Sequence, residues 1–309
     1  MASTSNQRGS SFLRAIVALV VLIISGIPIV LHFGQKRHNV LPFDVDKAYP
    51  ADAKLVGGEA YASTVKALME HELNSVTGWR PNDLFLWGPT LWADNNSNRQ
   101  LGILQAVRES VRVLKDHLTK VSSNEFDANL VEADTDFRND AHKLWLPSAE
   151  SKFREGVRHL QAYIDGLATN PPKSRPINRR NIELIRLFQS WSDMLGDAHA
   201  RLYRTTDSFF ETDDDFYFAQ GVAHAIHHLT RAIAHEYQEE FRDRQVIQDL
   251  LNEVAEALGK AAVLKPLIVF NGNPDGIFAN HRHNLDAYVN EARQKMYSIR
   301  EELQRGGGQ

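Results

Sequence analysis

Residues 181–203 read NIELIRLFQSWSDMLGDAHARLY, and their apolar positions decide the fold class. Leu184, Phe188, Trp191, Leu195, Ala198 and Leu202 are spaced 4, 3, 4, 3, 4. That period places them on one side of an α-helix. The same habit recurs outward in both directions. Leu104, Val107, Val111, Leu114, Leu118 and Val121 mark 101–121; Phe153, Val157, Leu160, Ile164 and Leu167 mark 150–168. Val222, Ile226, Leu229 and Ile233 mark 215–241, and Leu285, Val289, Ala292, Met296, Ile299 and Leu303 mark 284–304. Shorter runs at 60–73 (Tyr61, Val65, Leu68) and 244–259 (Ile247, Leu250, Val254, Leu258) repeat it. Near-heptad seams favour shallow helix crossings of about 20°, so the expectation is an all-α fold, a multi-helix bundle.

Breakers separate these runs: Gly78 with Pro81, Pro147, Pro171-Pro172 with Pro176, and Asn271-Gly272-Asn273-Pro274-Asp275-Gly276. Asp213, Asp214 and Asp215 are placed at a helix start, where carboxylates suit the dipole. A short apolar run, Leu267-Ile268-Val269-Phe270, reads as one strand or a buried loop. A sub-bundle boundary is placed near 170–180, and 306–309 read as a flexible tail.

The chain before residue 40 is different. Ala15 to Leu31 carries no charge, and with Phe12, Leu13 and Phe33 the apolar stretch reaches the ~20 residues that cross a bilayer as a helix. A cleaved signal peptide is the plainer alternative, but no small-x-small cleavage site follows. The organisation expected is a basic tail (1–11), a transmembrane anchor (12–33), a linker (34–55) and a helical bundle domain (56–305). Arg8 and Arg14 on one side, against Lys36 and Arg37 on the other, leave the positive-inside rule balanced.

Charge and composition exclude several functions. The 309 residues contain no cysteine, which removes disulfides, Cys-ligated zinc, iron–sulfur clusters and a cysteine nucleophile. Residues 39–309 hold 31 basic and 39 acidic side chains, a body that phosphate backbones repel, so no nucleic-acid partner is expected. The basic group Lys173, Arg175, Arg179 and Arg180 reads as a solvated linker.

Three groups carry candidate chemistry. His224, His228 and His235 project within about 40° of one another on a helix, opposite the apolar seam. His224 and His228, at i and i+4, have the spacing to hold zinc or another divalent metal. Glu236 or Glu239 could add oxygen, and His281-x-His283, read as a loop, could complete a site. Position 239 is Glu, so the H-E-x-x-H motif is not met; a solvated or second packing face is the plainer reading. Trp79, Trp87 and Trp92 lie within 14 residues of Pro- and Gly-rich chain. They read as a hydrophobic plug on the bundle, or else as a partner-binding surface. Asp193 and Asp197 precede Arg201 on one helix, and Asp197 with Arg201 reads as a surface ion pair. No phosphate-cradling loop and no nucleophile–base pair is present as a motif.

The basic tail, the single anchor, the segment Gly78-Trp79-Arg80-Pro81-Asn82-Asp83 and the helical body after it together resemble a proteobacterial family. Its members are single-span helical envelope proteins catalogued only as a domain of unknown function (2333). The resemblance covers nearly the whole chain. It implies a bacterial inner-membrane protein with its body in the periplasm, and it supplies no catalytic residue. The function expected is a non-enzymatic scaffold or adaptor for other envelope proteins, with no cofactor. The rival is a membrane-tethered metal-dependent hydrolase built on the histidines. The seams suit either a monomeric bundle or an oligomer.

Overall fold

The computed structural model describes residues 11–23, 26, 30, 34, 39–50, 56–75, 77–83, 94–120, 125–204, 209–264 and 281–306. Among these residues the structure is helical, with no strand. Residues 11–23 form α1. There follow α2 (Val45–Ala48), α3 (Glu59–Leu73), α4 (Asp94–Val113), α5 (Ala128–Phe137), α6 (Ala149–Leu167), α7 (Asn181–Tyr203), α8 (Phe209–Glu236), α9 (Gln245–Ala262) and α10 (His281–Arg305). The 267–270 run lies outside the described residues.

The seams read from the sequence face the core, with Val157 and Leu250 only partly buried and Val121 outside the described residues. Leu184, Phe188, Trp191, Leu195 and Ala198 of α7 are fully enclosed, as are Val289, Met296 and Ile299 of α10. Local chemistry sets several helix starts. The Asp127 carboxylate accepts from Asn129 N at 3.0 Å to open α5, and Ser148 Oγ accepts from Ser151 N at 3.2 Å to open α6. α4 runs on into one π-helical turn, Leu114–Leu118, closed by Thr119 N donating to Leu114 O at 3.0 Å. The wider turn keeps both Leu114 and Leu118 inside.

α8 is the hub, packed by α4, α9, α7 and α3, and its tightest crossing is with α4. Gly102 and Gly221 make that crossing. A Cβ on Gly102 would stand 2.1 Å from Phe218 O, and one on Gly221 2.0 Å from Arg99 O. The two backbones touch, which only glycine permits.

Direct contacts fix which ends gather. Arg99 of α4 pairs with Glu72 at the end of α3. Asn98 donates to Asp214 near the start of α8, and Arg282 at the start of α10 donates to Arg201 O and Arg204 O at the end of α7. Arg154 of α6 donates to Leu73 O. The first turns of α4, α6, α8 and α10 therefore share one end of the bundle. Asp215 belongs to this end. It is buried rather than a dipole-facing surface acid, and Arg204 and Arg201 pair with it at 3.1 and 3.8 Å.

α1 stands apart. Every residue from 11 to 23 is exposed, although the segment is apolar apart from Arg14 and Ser11. Among the described residues, no helix is long and apolar enough to cross a membrane. The expected anchor, 12–33, lies partly outside them.

Candidate functional site

Of the two plain readings of the α8 histidine stripe, a solvated face or a second packing face, the structure has the second at His224. α3 and α4 cover that face, and His224 is only 5% exposed. Its ring meets His228 edge-on at 4.8 Å, and His228 meets His227 the same way at 4.8 Å. Burial, then the neighbouring Arg99, His228, His227 and His71, hold His224 well below the usual imidazole range. Burial, with His227, Arg231 and Arg99, pushes His228 down to about 3. These imidazoles are neutral at physiological pH.

Their hydrogen bonds also separate them. His227 Nδ1 lies 2.7 Å from Ala255 O, an acceptor, so Nδ1 carries the proton and faces α9. His235 lies two turns further along. Its Nε2 donates to Tyr49 O, and its ring meets Tyr49 edge-on at 6.2 Å. His235 is therefore committed to the segment around α2 and not to His224 or His228. Nε2 of His224 has no hydrogen-bond partner among the described residues. No group of three or more His, Asp or Glu side chains among the described residues is arranged to hold a metal ion.

Glu236 and Glu239 do not turn to the histidines either. Glu236 is buried and reaches α3, whose own cap position is Gly58, at φ 104° and without a capping side chain. Its two carboxylate oxygens accept from Gly58 N at 2.9 Å and Tyr61 N at 3.1 Å. It thus caps a helix 178 residues away in sequence. Glu239 pairs with Arg242. His281 and His283 sit in the first turn of α10 rather than in a loop, and His283 meets Tyr203 at 5.3 Å.

Beside the histidines lies a charged frame that the sequence reading passed over. Arg99 and Glu72 are each about 1% exposed and pair at 2.8 Å. Gln100 Nε2 donates to Glu72 Oε2 at 3.2 Å and to Gly78 O at 3.0 Å, while Gln100 Oε1 accepts from Arg80 N at 2.8 Å. Arg99 also donates to Asn39 O at 3.2 Å. One buried network thus joins Asn39, the end of α3, the Gly78–Asp83 segment and the start of α4. The signal was present: Glu72 and Gln100 each fall four residues from a seam leucine, Leu68 and Leu104, in seam register. A polar residue in a seam position needs a buried partner.

A cleft of about 630 Å³ opens next to this frame, between α3, α6 and residues 41–49. Phe43, Tyr49, Ser63, Lys66, Glu70 and His71 line it. Tyr49 Oη and Ser63 Oγ are 2.7 Å apart, and Lys66 donates to Gln161 at 2.8 Å. Its mixed wall suits a small amphipathic molecule.

The remaining predicted residues are structural where described. Trp79 is buried, donates Nε1 to Ala141 O at 2.9 Å and packs edge-on against Phe153 at 5.0 Å. It is a plug. Trp87 and Trp92 lie outside the described residues. Arg201 turns to Asp215 and lies over Phe218 at 4.2 Å, in place of the pair expected with Asp197. Asp193 accepts from Gln189. In the basic linker, Arg175, Arg179 and Arg180 pair with Glu125, Glu240 and Glu183.

Fold and site together define a class: a helical bundle with histidines at its hub, His224 buried among them, and an exposed apolar helix, α1. The chain belongs to DUF2333, a family described as an uncharacterised protein conserved in bacteria, whose model matches residues 5–209 and 197–306. No curated protein and no solved structure matches it.

Proposed function

We propose that the protein is a membrane-tethered helical scaffold of the bacterial envelope. Residues 12–33 hold it in the inner membrane, and the bundle, on the periplasmic side, docks other envelope proteins. One observation carries this reading: α1 is apolar apart from Ser11 and Arg14, and it is exposed along its length. A helix with that surface is stable when a core or a bilayer surrounds it. The 13 residues of α1 rise about 20 Å, and the apolar sequence continues to Phe33, enough for a hydrocarbon core of about 30 Å. The bundle supports the non-enzymatic half of the reading. Its buried carboxylates Glu72, Asp215 and Glu236 serve in ion pairs and a helix cap, and burial holds His224, His227 and His228 below the usual imidazole range.

Two measurements test the halves separately. The full chain should stay with membranes through alkaline carbonate washing, and deletion of 12–33 should release it; release of the intact chain would remove the anchor. Proximity crosslinking in cells should capture the same envelope neighbour repeatedly. Failure to find one would count against the scaffold.

A further inference from the structure

The loop Lys143-Leu144-Trp145-Leu146-Pro147, between α5 and α6, places two large apolar side chains in the open: Trp145 is 79% exposed and Leu146 95%. Leu144 is 38% exposed beside them. Such a tip is out of place on a surface facing water. Its mount is firm. Trp79 Nε1 donates to Ala141 O, Asn82 donates to Lys143 O at 3.2 Å, and His142 Nδ1 donates to Pro81 O at 2.9 Å. On the other side Ala149 N donates to Lys143 O at 2.9 Å, and Arg108 holds Phe137 O and Asn139 O at 2.7 Å each. The backbone on both sides is pinned while the side chains of 144–146 project.

The same end of the bundle receives the chain from the anchor. Asn39 is held there by Arg99, and Gln100 beside it binds the Gly78–Asp83 segment on which the loop is mounted. Five residues lie between Phe33 and Asn39, six steps of chain with a reach of about 20 Å at full extension. Asn39, at the bundle end that carries Trp145, therefore lies within that distance of the end of the anchor. Exposed Val40 is at this end too. We propose that the Leu144–Leu146 loop inserts into the interfacial layer of the same bilayer that holds the anchor, docking the bundle end-on. The inference rests on the anchor reading above. The occupant is lipid because tether length brings lipid to this end, and because an indole with a neighbouring aliphatic tip suits the headgroup–acyl boundary. Arg138, Asp140 and Lys143 nearly cancel in charge, so apolar burial dominates and added salt leaves the docking in place.

The absence of cysteine supplies the test. Leu146→Cys, Ile23→Cys and Val246→Cys, each in the full chain, take a single nitroxide label. Ile23 reports the anchor. Val246 is exposed at the start of α9, which packs near Phe241 at the opposite end. The labelled chains are reconstituted in vesicles of phosphatidylethanolamine and phosphatidylglycerol, and collision with oxygen is compared with collision with a water-soluble nickel chelate. The expected result is an oxygen-to-nickel ratio at 146 several-fold above that at 246 and approaching that at 23. A membrane signal at 23 with a water-like signal at 146 overturns the docking and leaves the anchor standing. A label at 146 shielded from both probes also overturns it, because protein then covers the tip. A water-like signal at 23 removes the anchor and the docking with it.

Discussion

His228 shows how burial decides chemistry one residue at a time. An imidazole opposite an apolar seam looks available for a proton or a metal. Enclosed beside His227, Arg231 and Arg99, with Asp44 the one carboxylate opposing them, its folded pKa falls from 6.5 to about 3. The unfolded chain therefore takes up a proton that the folded chain refuses. Its stability contribution is complete above pH 6.5 and is lost as the pH falls from there toward 3. His224 is shifted in the same direction. Denaturant unfolding at pH 7.5, 6 and 5 should show stability declining before most carboxylates titrate. In His228→Gln the slope should flatten by about 1 kcal/mol per pH unit, one proton's worth. An unchanged slope would mean that this imidazole is open to water.

At the scale of elements, the α4–α8 crossing is the joint on which the bundle turns. Gly102→Ala would drive a methyl group against Phe218 O and the Val222 backbone, and Gly221→Ala would meet Arg99 O and Ile103 N. Backbone has no rotamer with which to yield, so each should destabilise by about 3–5 kcal/mol. Gly196 in α7 is the contrast. Its nearest neighbour is the movable Arg293 guanidinium at 3.4 Å. Gly196→Ala should stabilise by about 0.5–1 kcal/mol through helix propensity and a less free unfolded chain. Thermal unfolding of the three variants checks both signs, and a mild Gly102→Ala would show that the helices are not in backbone contact. The longer helices, α3, α4 and α6 to α10, were legible, because a 3.6-residue period is a property of one segment read alone; the short α2 and α5 were not. Their crossing was not. Gly102 and Gly221 look like weak points in helical runs until the partner helix is known. The same limit hid the long-range cap of Glu236 and the covering of the histidine face by α3 and α4. A single helix reports which side is apolar, not how many neighbours enclose it. The buried Arg99–Glu72–Gln100 frame lay between these cases, since its members stand in or beside seam register and ask for partners the sequence does not name.

For the whole molecule, the arrangement of ends makes the proposed topology testable without disturbing the bundle. Asn39, the mounted Trp145 loop and the first turns of α4, α6, α8 and α10 share one end. α10 then runs the length of the body to Arg305, which is 70% exposed in its side chain, and Asn181 at the start of α7 donates to Leu303 O beside it. A domain fused after Gln309 thus hangs from the end away from the tether, with room to fold. Alkaline phosphatase fused there should be active in cells, since its disulfides form only in an oxidising compartment. A fluorescent protein that folds only in the cytoplasm, fused at the same place, should stay dark. That pair of results would restrict partners of the bundle and ligands of the α3–α6 cleft to the envelope. The reverse pair would turn the body to the cytoplasm. It would overturn the periplasmic placement and move the search for what the cleft holds to soluble metabolites.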